Sequence, residues 1–319
     1  MSKSNEFYTY LISQQTAHKY LYHCYKQMKD IDAETKSYEN SNKFMYYLDH
    51  GIRFYESGKS TDLFAKPVLF FYGMTHLLKA FLLTKRPDYP ESTILLSHGV
   101  TARKRKKRNY TFLDDEVKIQ QNGLFPYFSE HLFSKKTFPF EKITMEDLLS
   151  LIPEIDTIFS FHQKKKMVPV GSSESRMLHF PSYILDSHHL TGNAFVKKIE
   201  PYLPPIKDLD EDKLSLHLQL EESFVPKTDP FFLHLESKNI YFPIKRQHFL
   251  ALSEIMVHYL ILYNLSMVCR YEAEWWGDLL VSKPDIDFPL IVKFLNITAE
   301  KIPMMIQKEL HHKLNEEIG

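Results

Sequence analysis

The stretch Phe249–Trp276 holds neither proline nor glycine and is apolar on nearly every side. Its polar residues Glu254, His258, Asn264, Ser266 and Arg270 are scattered around the helical wheel instead of gathered on one solvated face. A helix that is apolar all round persists in water only when other elements cover it. The stretch therefore predicts a buried helix. Arg270 near its end is expected to need a partner, either a carboxylate such as Glu272 or Glu274 or an anionic ligand, because an unpaired buried charge is costly.

A chain of 319 residues can build one large domain or two smaller ones. Its 44% hydrophobic and 14% aromatic content excludes a disordered chain. Nine glycines argue against glycine-rich phosphate loops and a doubly wound nucleotide fold. Forty basic and forty acidic residues cancel, so binding to nucleic acid or membrane would have to come from a local patch. Cys24 and Cys269 sit in apolar, helix-like contexts and read as reduced core residues. The opening residues Met1–Tyr8 lack the apolar stretch of a signal peptide, and Ile255–Cys269 is too short and too polar to span a bilayer. The expectation is a cytoplasmic protein with no membrane contact.

The first fifty or so residues carry Tyr8, Leu11, Ile12, Tyr20, Leu21, Cys24 and Met28 at spacings of three and four, which predicts one or two amphipathic helices. Pro67–Leu83 predicts a second mostly buried helix, with Thr75, His76 and Lys79 on its one polar arc and Arg86–Pro90 as its stop. Thr144–Asp147 reads as a capping box before a short helix ended by Pro153. From about residue 167 the period becomes two: Leu214, Leu216, Leu218 and Leu220, then Phe231, Leu233 and Leu235, then Ile240, Phe242 and Ile244. That pattern predicts a small antiparallel sheet with a hairpin near Lys238.

The fold class expected is mainly α with a small antiparallel β insert (α+β), its helical core formed by N-terminal and C-terminal helices. Residues 1–166 form a helical part with a basic loop at 101–109, 167–246 a mixed region, and 247–319 helices packing back on the first part as one compact unit. Phe249–Trp276 is expected to pack on Pro67–Leu83.

The most biased segment is the run Arg103, Lys104, Arg105, Lys106, Lys107 and Arg108. Six like charges repel, so the run reads as an exposed loop, one that either is merely solvated or contacts phosphates or an acidic partner. Tyr110 and Phe112 follow it, without aromatic interleaving inside it. The adjacent pairs His188-His189 and His311-His312 make poor chelates, and no metal site is expected. Glu254 and His258 share a helical face but lack the second histidine of a zinc-protease helix. Gly171–Arg176 reads as a connector whose hydroxyls and amides could alternatively hold an anion. Lys79, His98 and Arg270 are the remaining candidates for anion binding. No catalytic residue and no cofactor are assigned.

Pro67–Ala80, His98-Gly99, Asp147–Pro153 and Asn264–Trp275 together resemble the YaaC-like family of bacterial cytoplasmic proteins over most of the chain. That family has no established activity. The resemblance implies a link to purine metabolism, because its members in spore-forming bacteria tend to be encoded beside IMP dehydrogenase. The paired helices also resemble the HEPN superfamily, whose active members are RNA-cutting dimers with an Arg followed by a His after four to six residues. Here Arg270 is followed at those spacings by Trp275, Trp276 and Gly277, and Arg53 by Gly58, Lys59 and Ser60, so the imidazole for such cleavage is missing.

The leading expectation is thus a non-enzymatic regulatory or adaptor protein that binds another cytoplasmic protein, with an IMP dehydrogenase-type purine enzyme as first candidate. The alternatives are a HEPN-like RNA-binding protein or degenerate ribonuclease, with nucleic acid on the basic loop and homodimerisation, and a purine-nucleotide sensor.

Overall fold

The computed structural model describes residues 3–103, 110–226, 230–250 and 252–315. The chain forms two compact units, one of Met1–Lys142 with His258–Gly319 and one of Ile143–Val257. Segments 143–166 and 247–257 belong to the second unit. The α+β class holds: helices dominate, accompanied by small antiparallel sheets.

The first unit begins with α1 (Lys3–Leu11), α2 (Gln14–Tyr25), α3 (Ala33–Ser60) and α4 (Lys66–Leu83). Ser13 and Asp32 cap α2 and α3 by accepting from the amides of Thr16 and Thr35. Pro67 sits in the first turn of α4, where its missing N–H costs nothing. β1 (Val100–Arg103) and β2 (Glu116–Ile119) then pair antiparallel, with Val100 opposite Ile119. α5 (Leu124–Phe133) follows, and β3 (Lys142–Thr144) carries the chain into the second unit.

The second unit opens with α6 (Met145–Leu149), whose start shows the N-cap half of the expected capping box: the Asp147 amide donates to Thr144 Oγ1, and that hydroxyl donates to the Asp147 carboxylate at 2.7 Å. After α7 (Asp156–Phe161) come β4 (Met167–Ser172), β5 (Met177–Pro181), α8 (Tyr183–His188), α9 (Gly192–Ile199), β6 (Ile206–Glu211), β7 (Ser215–Leu220), β8 (Phe232–Leu233) and β9 (Asn239–Pro243). The six strands form one antiparallel sheet in the order β6-β7-β5-β4-β9-β8, and the hairpin expected near Lys238 joins β8 to β9. Its inner face presents Leu178, Phe180, Leu216, Leu218, Ile240 and Phe242 to a cluster with Ile184, Phe195 and Ile199 of α8 and α9. The period of two starts two residues later than read, at Leu216: Leu214 lies before β7 and is 79% exposed.

α10 (Glu254–Tyr271) returns the chain to the first unit, followed by α11 (Ala273–Ser282) and α12 (Asp287–Asn315). The single long helix read over Phe249–Trp276 is therefore two helices. Ser253 begins α10 by accepting from the Met256 amide, and Glu272 leaves helical geometry at φ −117°, ψ 52°. Residues 254–266 are all buried, as an all-round apolar helix requires. Phe71 of α4 meets the rings of Tyr259 and Tyr263 of α10 at 5.4 and 5.6 Å, so the early and late apolar helices do touch. α4 nonetheless lies mainly along α3, and also against α12. Tyr8 and Tyr20 tie α1 and α2 to α12 by donating to the carbonyls of Pro303 and Leu310. Among the described residues no helix is long and apolar enough to cross a membrane.

Candidate anion-binding face

α3 and α4 pack closely enough that their outer residues form one continuous face. A Cβ on Gly73 would lie 2.8 Å from the Tyr55 ring and 3.1 Å from the Gly51 carbonyl, so only glycine permits this approach. The approach places Tyr47, His50 and Phe54 of α3 beside Tyr72, His76 and Lys79 of α4. His76 stacks on Phe54 at 5.7 Å with 10° between planes, and meets Tyr47 at 5.8 Å and His50 at 5.5 Å. Phe54 also touches Tyr72 at 6.1 Å.

His98 enters this face from the loop before β1. The loop turns at Gly99 (φ +75°), where a Cβ would sit 2.9 Å from the Phe125 amide nitrogen. The His98 carbonyl accepts from the Phe125 amide and from the Tyr259 hydroxyl at 3.0 Å, which pins the residue between α5 and α10. Its imidazole lies against Phe71, Tyr263 and Tyr72, at 5.0, 5.6 and 6.3 Å. Tyr259, Tyr263, Ser266 and Arg270 follow one another at spacings of four, three and four along α10, so they share one side of that helix.

The electrostatics of the face are one-sided. Burial lowers the Lys79 pKa, and the ammonium lies 5.7 Å from the centre of the Tyr47 ring. The His98 pKa falls through burial first, then through the positive charges of Arg270 and Lys79. His76 is pushed down to about 4, chiefly by burial, with Lys79 and His50 adding to it. His98, unusual in the sequence alongside Lys79 and Arg270, thus feels both of their charges in the fold. Among the described residues no carboxylate lies within ion-pair distance of Lys79 or Arg270.

Arg270 differs from the expectation of a buried cation. It is exposed. Its Nε donates to the Ser266 carbonyl at 2.8 Å, a second nitrogen reaches Met267 Sδ at 3.3 Å, and the guanidinium lies 5.2 Å from the Tyr271 ring. The helix ends there, so the side chain reaches water without desolvation. The polar arc read on α4 is also corrected: Thr75 is buried and donates back to the Phe71 carbonyl at 2.9 Å, leaving His76 and Lys79 half-buried.

Of the basic run, Arg103 ends β1 opposite Glu116, and Lys104, Arg105, Lys106, Lys107 and Arg108 lie outside the described residues. His258 is buried, with Nδ1 2.9 Å from Thr298 Oγ1. His188 is buried beside the Pro243 carbonyl, and His189 takes the left-handed position that ends α8. Gly171–Arg176 spans the end of β4 and the turn into β5. Cys24 and Cys269 are free thiols, and burial first of all raises Cys269 to about 11. Asn264 carries an amide whose nitrogen and oxygen are both buried without a hydrogen-bond partner among the described residues. No group of three His, Cys, Asp or Glu side chains is gathered to hold a metal ion among the described residues.

Tyr47, His50, Phe54, Tyr72 and His76 escaped the sequence reading as members of a site. Their signal was available: 47, 50 and 54, like 72, 76 and 79, fall on single helical faces and are ring side chains apart from Lys79.

A family model described as YaaC-like protein matches residues 9–310. The chain belongs to the YaaC-like family. The match takes in every residue of the cationic, aromatic face, so that face is built wholly from the family's own region. No curated protein and no solved structure matches the chain.

Proposed function

We propose that the chain is a non-enzymatic, cytoplasmic regulatory protein that binds a purine nucleotide on the face shared by α3, α4, His98 and α10. The observation that carries this reading is the cationic set of Lys79 and Arg270 around His98, uncompensated among the described residues and bordered by Tyr47, Phe54, Tyr72 and Tyr263. A phosphate supplies the negative charge that such a set lacks, and a base supplies a flat ring for the aromatic border. The purine class rests on the link to purine metabolism that the family resemblance implies. On this reading the nucleotide-bound chain adjusts a protein partner, with an IMP dehydrogenase-type enzyme as the first to test.

A thermal-shift series on the full chain with IMP, GMP, AMP and ATP tests the proposal, with adenosine and inorganic phosphate as controls. A nucleotide present at 100 times its dissociation constant adds about 2.7 kcal/mol of stability. The expected result is a shift with at least one nucleotide that exceeds both controls and is lost in Lys79→Ala. No shift with any nucleotide, or an equal shift in the variant, removes the reading.

A further inference from the structure

The outward face of the six-stranded sheet carries a row of metal-ligating side chains with no part in the core. Register places His179 of β5 directly opposite His217 of β7, and His217 directly opposite Asp210 of β6. Direct cross-strand partners point to the same side of a sheet. That side is outward, because the alternate residues Leu178, Phe180, Leu216 and Leu218 fill the core. The two imidazoles meet with their Nδ1 atoms 2.5 Å apart.

The other nitrogen of His217 is held as well. Its Nε2 lies 2.7 Å from the Ser215 hydroxyl and 3.4 Å from the Asp212 carboxylate. A hydrogen on Nε2 donates to those oxygens and leaves the Nδ1 lone pair facing His179. A carboxylate that fixes the tautomer of a histidine in this way is the usual outer support of an imidazole metal ligand.

We propose that His179 and His217 bind a divalent transition-metal ion of the zinc class through their Nδ1 atoms. Two imidazoles select Zn, Ni or Cu over Mg and Ca. Metal–nitrogen bonds of about 2.0–2.1 Å in tetrahedral geometry need the two nitrogens about 3.3 Å apart. The rings must therefore separate by somewhat under 1 Å, which His179, exposed, and His217, half-exposed, can do. The hydrogen shared between the two Nδ1 atoms passes by way of water to Nε2 of His179, so both rings hold the ion as neutral imidazoles and no net proton is released. Water supplies the remaining positions, and Asp212 stays outside as the support for His217.

Calorimetric titration of the full chain, free of any histidine tag, with zinc and then with magnesium tests the site. The expected result is one zinc per chain, no heat from magnesium, and loss of that zinc in both His179→Gln and His217→Ala. Asp212→Asn weakens zinc by about 10–100-fold while leaving one ion per chain. Melting curves in chelator show that the variants fold, since neither imidazole belongs to the core cluster. Absence of zinc binding, or zinc bound equally by wild type and His179→Gln, overturns the proposal.

Discussion

His76 and Asp287 titrate in opposite senses, and each sense follows from what surrounds the group. Burial first, then Lys79 and His50, hold His76 neutral down to about pH 4, against 6.5 for a free imidazole. Between those values the unfolded chain binds a proton that the folded chain refuses, so stability drops as pH falls from 6.5 toward 4. His76→Phe keeps a ring on Phe54 and removes the titration. Thermal melts at pH 7.5 and 4.5 should then differ less than in wild type, and an unchanged difference would count against the buried neutral imidazole.

Asp287 runs the other way. Burial raises it to about 6 from 3.8, although Oδ2 accepts from the Phe112 amide at 2.5 Å. From pH 3.8 upward the unfolded chain gives up its proton more readily, so this group lowers stability as pH rises and does so fully above 6. Asp287→Asn keeps the accepting oxygen and should stabilise the fold at pH 8, by at most about 3 kcal/mol, with the gain gone at pH 4. A gain that persists unchanged at pH 4 would contradict this reading.

At the scale of elements, two glycines in helices should respond to alanine with opposite signs. Glycine within a helix costs about 0.5–1 kcal/mol relative to alanine. A methyl group on Gly277 of α11 would have nothing within 4 Å, so Gly277→Ala should gain about that much. At Gly73 the methyl meets the Tyr55 ring and the Gly51 carbonyl, and overpacking of this kind costs about 1–3 kcal/mol. Gly73→Ala should therefore destabilise despite its better helix propensity. Urea unfolding of both variants measures the two signs, and a stabilised Gly73→Ala would deny the close α3–α4 approach.

The same contact explains what could be read in advance. α4 and α10 were legible because their apolar residues run round the whole wheel. α3 was not legible as one helix of 28 residues, since its buried side includes Ser37, Asn40, Ser41, Gly51 and Gly58. Small and polar residues give no hydrophobic periodicity, yet they are what lets α4 come close. The break at Glu272 left no proline or glycine to mark it.

For the molecule as a whole, forty positive and forty negative charges leave histidine to set the response to acid. With a pI near 7.3 and 16 histidines, the protein should be least soluble close to pH 7.3 and become more soluble below pH 6. Precipitation by polyethylene glycol across pH 5.5–9 would show the minimum, and one well away from neutrality would contradict the balanced charge. Within that neutral whole, the cationic face is local. It draws on residues 47–54, 72–79, 98 and 263–270, and no linear pattern joins segments so far apart. Lys79, His98 and Arg270 were legible one at a time as unusual residues, whereas their aromatic border came only from the folding of α3 against α4.

Calorimetric titration of the best-stabilising purine nucleotide into wild type and the Lys79→Ala/Arg270→Ala double variant tests the nucleotide face most directly. Neither Lys79 nor Arg270 has an ion-pair partner among the described residues, so removing them orphans no carboxylate there and should spare the fold. The account predicts one nucleotide per wild-type chain, with affinity falling as salt rises, and no measurable heat with the double variant. Equal affinity in the two proteins would show that the nucleotide binds elsewhere and would contradict the account.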